Sequence, residues 1–303
     1  MRVSVIIPVF NAATFLEEAV RSALDQPETA EVLLIEDGST DDSPEICKNM
    51  SSADTRVRFL AHADKRNHGA GASRNLGLLS ATSDFIAFLD ADDRYLPSRF
   101  AVTREIFSST PDAEGVYETV GTQYADASFI PLHRDRVPQE DTGLSKAVPP
   151  ERLFRALATG RFGHIHLNGL VIRRRILDGK INFDESLRQC QDSDWILRLA
   201  AFYNLYPGRS GHPVAVRRVH EENRVFNTPE ALHYRRKYLR KCMLNDFYGS
   251  TDTYAKLYIV ARYVSWLENG ILRRLGKISR PAIIMASGLY LLFHPRLLFQ
   301  LFK

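Results

Sequence analysis

The sequence predicts an α/β fold: a doubly wound, mostly parallel sheet followed by a helical C-terminal extension. Three observations carry that expectation. Up to about residue 120, short and nearly continuous apolar runs alternate with stretches of helical period. That is the pattern of strands buried on both faces by crossover helices. Polar clusters follow the runs, with Asn11 after the first, Asp37 after the second and Asp90, Asp92 and Asp93 after the fourth. Open α/β sheets bind ligands beyond those carboxyl ends. From Pro229 onward helix signals dominate.

The elements follow in order. VSVIIPVF, residues Val3–Phe10, is too short for a secretory hydrophobic region with a cleavage site and reads as a first buried strand. A helix over Thr14–Leu24 begins with Thr14 and Glu17 at capping-box spacing. Strands at Glu31–Glu36, Val57–Ala61 and Phe85–Leu89 alternate with helices at Ser43–Met50, Gly71–Ala81 and Pro97–Phe107, where Pro97 suits a first turn. Residues 121–149 hold no sustained period and read as a long loop or a small antiparallel excursion, a kind of segment that is often functional. A helix over Glu151–Ala158, a strand over His166–Ile172 and a helix over Ser193–Ala201 complete the body. Pro281–Phe293 is apolar for 13 residues. A membrane span needs roughly 20, so this stretch predicts an interfacial or packed helix instead.

Hydrophobic residues form 45% of the 303 and charged residues 25%, which excludes a disordered or collagen-like chain. Cys47, Cys190 and Cys242 lie far apart without C-x-x-C spacing, and read as reduced thiols of a cytoplasmic protein. The net charge of +4 hides an asymmetry. Residues 1–208 carry 23 Lys and Arg against 30 Asp and Glu, whereas residues 209–303 carry 17 against 6. A basic tail on an acidic body fits an anionic partner; it equally fits a solvated helical surface. The segment RRKYLRK, residues 235–241, with Lys256, Arg262, Arg273, Arg274 and Lys277, suits peripheral attachment to an anionic membrane surface on the inner face of the cell membrane. A nucleic-acid footprint competes, but no recognition motif accompanies it, so no nucleic-acid partner is expected.

FLDADDRYLP crowds Asp90, Asp92 and Asp93 after a buried strand. Such carboxylates repel one another unless a cation or a set of donors compensates, and Mg²⁺ or Mn²⁺ shared with substrate phosphates is one resolution. An acidic loop opening the next helix is the alternative. EDGSTDDS, residues 36–43, is rich in turn residues, and its Asp37 has the chemistry to accept from a base imide or a ribose hydroxyl. NHGAGASRNLG, residues 67–77, places glycines before a helix that carries Arg74. It is neither G-x-G-x-x-G nor a Walker loop, which argues against a dinucleotide oxidoreductase and a P-loop NTPase.

Together SVIIPVFN, EDGSTDDS, NHGAGASRNLGL and FLDADD, in that order, resemble the opening of a family 2 glycosyltransferase, and FDESLRQCQDSDWILRLA, residues 183–200, resembles the acceptor-side motif of the same family. The resemblance covers roughly residues 1–225 and implies a GT-A nucleotide-sugar-binding and catalytic domain, with residues 226–303 as a basic helical extension. It implies that Asp37 binds the base, that Pro8, Val9, Phe10 and Asn11 line the nucleoside pocket, and that Arg74 sits near the nucleotide. By the same resemblance Asp90 faces the ribose, Asp92 coordinates a Mn²⁺ or Mg²⁺ ion, His220 approaches that ion, and Asp93 supports the loop. Asp192 matches the catalytic base, although a helix N-cap is the plainer reading of such an Asp; Gln191 replaces the family's usual Glu beside it. Trp195 is placed either to stack on a sugar or to pack beneath the acceptor site. The implied activity is inverting transfer from a nucleotide-sugar donor, with a uridine diphosphate sugar favoured, to a carbohydrate or lipid-linked acceptor in polysaccharide or glycoconjugate formation. A nucleotidyltransferase and a catalytically idle carbohydrate- or lipid-binding module are the rivals. His164 and His166 carry no motif.

Overall fold

The structure is a computed structural model and describes residues 1–130, 141–220, 228–244 and 252–267. Its strands are β1 (Val3–Val9), β2 (Thr29–Glu36), β3 (Val57–Ala61), β4 (Phe85–Phe88), β5 (Arg94–Tyr95), β6 (Gly115–Tyr117), β7 (Val120–Tyr124), β8 (Leu170–Arg173), β9 (Leu205–Pro207) and β10 (Ala215–Val219). The helices are α1 (Ala13–Leu24), α2 (Ser43–Ala53), α3 (Ala70–Ser80), α4 (Ala101–Ser109), α5 (Pro150–Thr159), α6 (Gln191–Phe202), α7 (Thr228–Leu244) and α8 (Thr253–Leu267). The main sheet runs β3-β2-β1-β4-β8-β6-β9. Neighbours pair in parallel except at β8, which is antiparallel to both β4 and β6. β10 forms a second sheet of three strands, antiparallel to β5 and parallel to β7.

Alternation along the central strands explains the two-sided burial. Ile6, Leu33, Ile35, Ile86 and Phe88 face one core, while Val5, Ile7, Leu34 and Ala87 face the other. The first core continues without a break through Phe183 and Trp195 to Leu239, Cys242 and Met243 of α7 and to Ala255, Ile259 and Val260 of α8. The start of the extension therefore shares the body's hydrophobic interior.

Several local expectations are corrected. Thr14 and Glu17 form no capping box: α1 has Ala12 at its N-cap with no side-chain cap. The orphan N–H groups of Ala12 and Ala13 instead donate to Ser43 Oγ at 2.9 Å and Asp41 Oδ2 at 3.0 Å, so the loop after β2 caps the helix. Pro97 lies ahead of α4, which begins at Ala101 after Ser98 takes a φ of +63°. His166 lies outside its expected strand, because a 3₁₀ turn at Leu167–Gly169 intervenes before β8. The segment expected to be a long loop or a small antiparallel excursion supplies β7, paired in parallel with β10, and makes antiparallel bridges at Val120–Thr142 and Leu144–Gly163. Residues 131–140 of that segment lie outside the described residues. Cys190, with φ of +62°, takes the N-cap of α6, and Asp192 falls in the first turn.

At the edge of the sheet away from these polar loops, Glu31 laces the first strands together. Its carboxylate accepts from Ser4 Oγ at 2.6 Å, from the Thr82 N–H and hydroxyl at 2.7 Å each, and from Arg58 Nη1 at 2.7 Å. Burial opposes its charge, but these donors outweigh burial and lower its pKa to about 2, from an ordinary 4.5. A depressed carboxyl pKa stabilises the fold above the unfolded value, and the contribution fades as pH falls from about 4.5 toward about 2. Glu31→Gln should therefore lower unfolding free energy by about 2 kcal/mol at pH 7. The gap to wild type should narrow below pH 4.5, as read from urea denaturation across a pH series.

Candidate active site

The polar clusters meet where β1, β2 and β4 end. Asn11 takes a φ of +48°, which Asn tolerates better than most residues, and its Oδ1 accepts from the Thr40 N–H at 2.8 Å. The Asn11 N–H donates to Ser39 Oγ at 3.1 Å, so the two loops brace each other. Phe10 and Asn11 are exposed, Pro8 is half-buried, and the Val9 side chain lies wholly in the core. Asp37, 2% exposed, has its own N–H bonded to the Val9 carbonyl at 2.9 Å. Its carboxylate accepts from the N–H groups of His68 at 2.7 Å and Gly69 at 2.8 Å and from Asn67 Nδ2 at 3.1 Å. Gly38 permits that approach, for its φ is +76° and a Cβ there would stand 2.8 Å from the backbone of Arg66 and Asn67.

Arg74, on the first turns of α3, reaches Asp90 Oδ1 at 2.6 Å and is itself buried. Burial works against charge on Asp90, but Arg74, and after it His166, hold its pKa below the ordinary carboxylate range. Gln191, buried at the start of α6, explains its departure from the family's Glu. Oriented to satisfy both ends, its amide donates to the carbonyls of Arg188 at 3.0 Å and Leu187 at 3.1 Å and accepts from Arg74 Nη1 at 3.3 Å. A carboxylate could not make the first two bonds.

Asp92 Oδ2 lies 3.2 Å from His220 Nε2, one residue past β10, and the His220 ring packs 5.2 Å from that of Phe15. Asp93 is 1% exposed and turned inward. Burial, then the charges of Asp92 and Asp90, raise its pKa well above the carboxylate norm. His166, half-buried and unassigned by motif, joins this group: it, Asp90 and Asp93 each offer a ligand atom within 4.8 Å of the others. Its Nδ1 accepts from the Asn168 N–H at 3.2 Å, and burial lowers its pKa to about 4 against the pull of Asp90. Asp192 is half-buried at the start of α6, takes the Ser193 N–H on Oδ1 at 2.7 Å, and is close enough to act electrostatically on His164 and His166.

The Asp92 carboxylate suits Mn²⁺ or Mg²⁺, and the His220 imidazole beside it, a softer donor, favours a transition ion such as Mn²⁺ over Mg²⁺. In the Asp90, Asp93 and His166 group both carboxylates are already held by protein donors, Asp90 by Arg74 and Asp93 by Asn168 Nδ2 at 2.6 Å.

A model of glycosyl transferase family 2 matches residues 4–160. The chain belongs to that family. It is 30% identical over 254 residues to YibD, an uncharacterized glycosyltransferase of Escherichia coli strain K12, covering 79% of this chain and 68% of YibD. It spans 57% or less of seven further curated relatives. Among solved structures, residues 1–349 of S. aureus TarS in complex with UDP-GlcNAc match with a TM-score of 0.64 at 17% identity, over 95% of this chain and 79% of that one. The mannosyltransferase PcManGT of Pyrobaculum calidifontis, in complex with GDP-Man and Mn²⁺, matches with a TM-score of 0.56 at 15% identity, over 99% and 83%. The fold of this family 2 glycosyltransferase is GT-A, as these likenesses show.

Sequence reasoning missed two kinds of residue. His166 and Asn168 carry no motif, and the only signal is polar residues interrupting an apolar run. Of its two expected placements Trp195 takes the packing one: it is fully buried, donates from Nε1 to the Ile181 carbonyl at 2.9 Å, and stacks on Phe183 at 4.3 Å. The second kind is the basic face of α7, part of which meets the body. Lys237 Nζ donates to the Ser186 carbonyl at 2.6 Å, and Lys241 Nζ bridges Asp184 at 2.7 Å and the wholly buried Asp194 at 2.8 Å. Arg198 pairs with Asp194 as well, at 2.8 Å. Burial opposes charge on Asp184, yet the bonds from Lys241 and Ser186 bring its pKa down to about 2. Lys241→Ala should lower stability by about 2 kcal/mol, since it strips a buried carboxylate of one of its cations. Lys237→Ala should change it by under about 0.5 kcal/mol. Guanidinium unfolding of the two variants side by side checks the difference.

Proposed function

We propose that this glycosyltransferase moves a sugar from a nucleotide-sugar donor, a uridine diphosphate sugar in the first instance, to an acceptor hydroxyl with inversion at the anomeric carbon. What carries this reading is the convergence of Asp92 with His220, of Arg74 with Asp90, and of Asp192 opening α6 around one sheet end. Pro8, Phe10 and Asn11 line the nucleoside pocket, Val9 contributing its backbone alone because its side chain is core, and Asp37, whose carboxylate also holds residues 67–69, meets the base. Asp90 addresses the ribose with Arg74 fixing its orientation. Asp192 takes the proton from the acceptor hydroxyl as that oxygen forms its bond to the anomeric carbon. The bond from that carbon to the diphosphate oxygen breaks, and the leaving diphosphate keeps the electron pair. Asp92 and His220 would hold Mn²⁺ or Mg²⁺, which when bound supplies positive charge to the diphosphate.

The bound nucleotide sugars of TarS and PcManGT support the donor class, and their different bases leave this chain's base to experiment. Release of nucleoside diphosphate from a panel of nucleotide sugars, with and without Mn²⁺, tests the reading. One donor should be consumed in a Mn²⁺-dependent way. Asp92→Ala should remove that dependence, and Asp192→Asn should slow transfer by about 10²- to 10⁴-fold while leaving donor binding in place. Pyrophosphate release from a nucleoside triphosphate would favour a nucleotidyltransferase; absence of donor binding by calorimetry would favour a binding module.

The acceptor under this reading is a carbohydrate or a lipid-linked glycan, reached from the cytoplasmic side. Among the described residues no helix is long and apolar enough to cross a membrane. Peripheral attachment would rest on the basic residues of α7 other than Lys237 and Lys241, on Arg273, Arg274 and Lys277, and on Pro281–Phe293. All of these but the α7 residues lie outside the described residues. Sedimentation with anionic vesicles should be strong at low salt and fade as salt rises. Failure to sediment at low salt would remove the membrane from the account.

A further inference from the structure

Asn168 is fully buried in the 3₁₀ turn before β8 and faces the acidic cluster from the far side of β4. Its Oδ1 accepts from the Asp90 N–H at 3.1 Å, and its Nδ2 donates to Asp93 Oδ2 at 2.6 Å. One amide thus grips the chain on either side of Asp92. The second oxygen of Asp93, Oδ1, accepts from the Arg218 N–H in β10 at 2.8 Å, two residues before His220. Arg218 Nη1 also reaches the Asp92 carbonyl at 3.3 Å. Asn168 is itself anchored, its N–H bonded to His166 Nδ1 at 3.2 Å and its carbonyl taking Arg99 Nε at 3.1 Å. The chain of bonds from Asn168 through Asp93 to β10 ties the loop bearing Asp92 to the strand that delivers His220.

We propose that Asn168 and Asp93 are a pair of positioning residues that set the placement of His220 against Asp92, and so the spacing of the groups that would face the metal and the diphosphate. The inference rests on the proposed role of Asp92 and His220 only in its last clause; the clamp itself is a matter of hydrogen-bond direction. An amide and a carboxylate are needed, and which position holds which is interchangeable. With the two side chains exchanged, a carboxylate at position 168 accepts from the Asp90 N–H and from the amide at position 93, whose carbonyl oxygen takes the Arg218 N–H. Either single change leaves one mismatch: position 93 accepts from two donors, so in Asp93→Asn the new amide NH2 faces either Asn168 Nδ2 or the Arg218 N–H, while Asn168→Asp sets a carboxylate against a carboxylate.

The test compares wild type, Asp93→Asn, Asn168→Asp and the double exchange in the full chain, with thermal unfolding as the folding check. The first readout is the His220 imidazole signal in a ¹H–¹³C spectrum, assigned with His220→Gln. The second is affinity for Mn²⁺ with a nucleoside diphosphate, followed by electron paramagnetic resonance. Each single variant should shift or broaden the His220 signal and weaken Mn²⁺ binding by about tenfold to a hundredfold, the usual effect of losing an outer partner of a metal ligand. The exchange should return the signal to its wild-type position and the affinity to within about threefold. A double variant no better than the single ones, in folding or in the His220 signal, overturns the proposal, as do single variants indistinguishable from wild type. If wild type itself bound neither Mn²⁺ nor nucleotide, the reading of the site would fall while the His220 signal would still decide the clamp.

Discussion

Three carboxylates within four residues, at the end of a strand with both faces buried, are the constraint around which this molecule is arranged. Asp90, Asp92 and Asp93 cannot all be charged beside one another without compensation. The fold assigns each a separate partner from a distant part of the chain: Arg74 from α3, His220 from the end of β10, and Asn168 with the Arg218 N–H for Asp93. The second sheet has its place for this reason. β10 pairs with β5, which directly follows the acidic loop, so the strand carrying Arg218 and His220 is laid alongside the carboxylates it serves. The antiparallel β8 does the same from the other side, because the turn leading into it holds Asn168.

A second set of contacts ties the nucleotide side of the site to the helix that begins with Gln191 and Asp192. Arg188 Nη1 donates to Asn67 Oδ1 at 2.6 Å and its Nη2 to the Asn67 carbonyl at 3.1 Å, across the loop that Asp37 holds. Asn75 of α3 makes the same crossing farther in, giving Nδ2 to the Phe183 carbonyl at 3.0 Å and taking the Phe183 N–H on Oδ1 at 2.8 Å. Gln191 completes the link by accepting from Arg74. The motifs at residues 67–77 and 183–200 are far apart in sequence, yet their side chains are in direct contact.

Much of this was legible in the sequence, and the parts that were not share a physical cause. Strands β1, β2 and β4 and the crossover helices could be read because strands buried on both faces are near-continuous apolar runs. The polar residues of the site could be located because those strands must end somewhere and their ends point the same way. β5, β6, β7, β9 and β10 are two to five residues long. At that length periodicity carries little information, and what makes them strands is their partner across the sheet. His166, Asn168 and Lys241 escaped for a related reason. A polar residue's neighbours in sequence do not name its partner: Asn168 and Lys241 meet carboxylates 75 and 47 positions away. Thr14 and Glu17 show the converse: a correct local spacing lost to Ser43 and Asp41, because a tertiary acceptor already occupied the orphan donors.

The charge asymmetry looks different once the fold is known. An acidic body and a basic tail pointed outward, to an anionic partner, yet part of the opposition is settled within the chain. Lys241 reaches two carboxylates of the segment that leads into and opens α6, and Lys237 takes a carbonyl of the same loop. Lys256 is buried as well. The reverse polarity occurs where Arg155 of the body meets Asp252 at the entry to α8. These contacts set α7 against the loop and helix that carry Asp192, so α7 buttresses that helix whatever its remaining charges meet. Two uses of one basic helix are compatible, because Lys241 is engaged with the body while Arg236 and Arg240 of the same helix are exposed. A surface that draws α7 away from the body would have to break the buried Lys241–Asp194 pair. One that binds the outward face would leave the Asp192 helix where it is, and the second arrangement is the one the ion pairs favour.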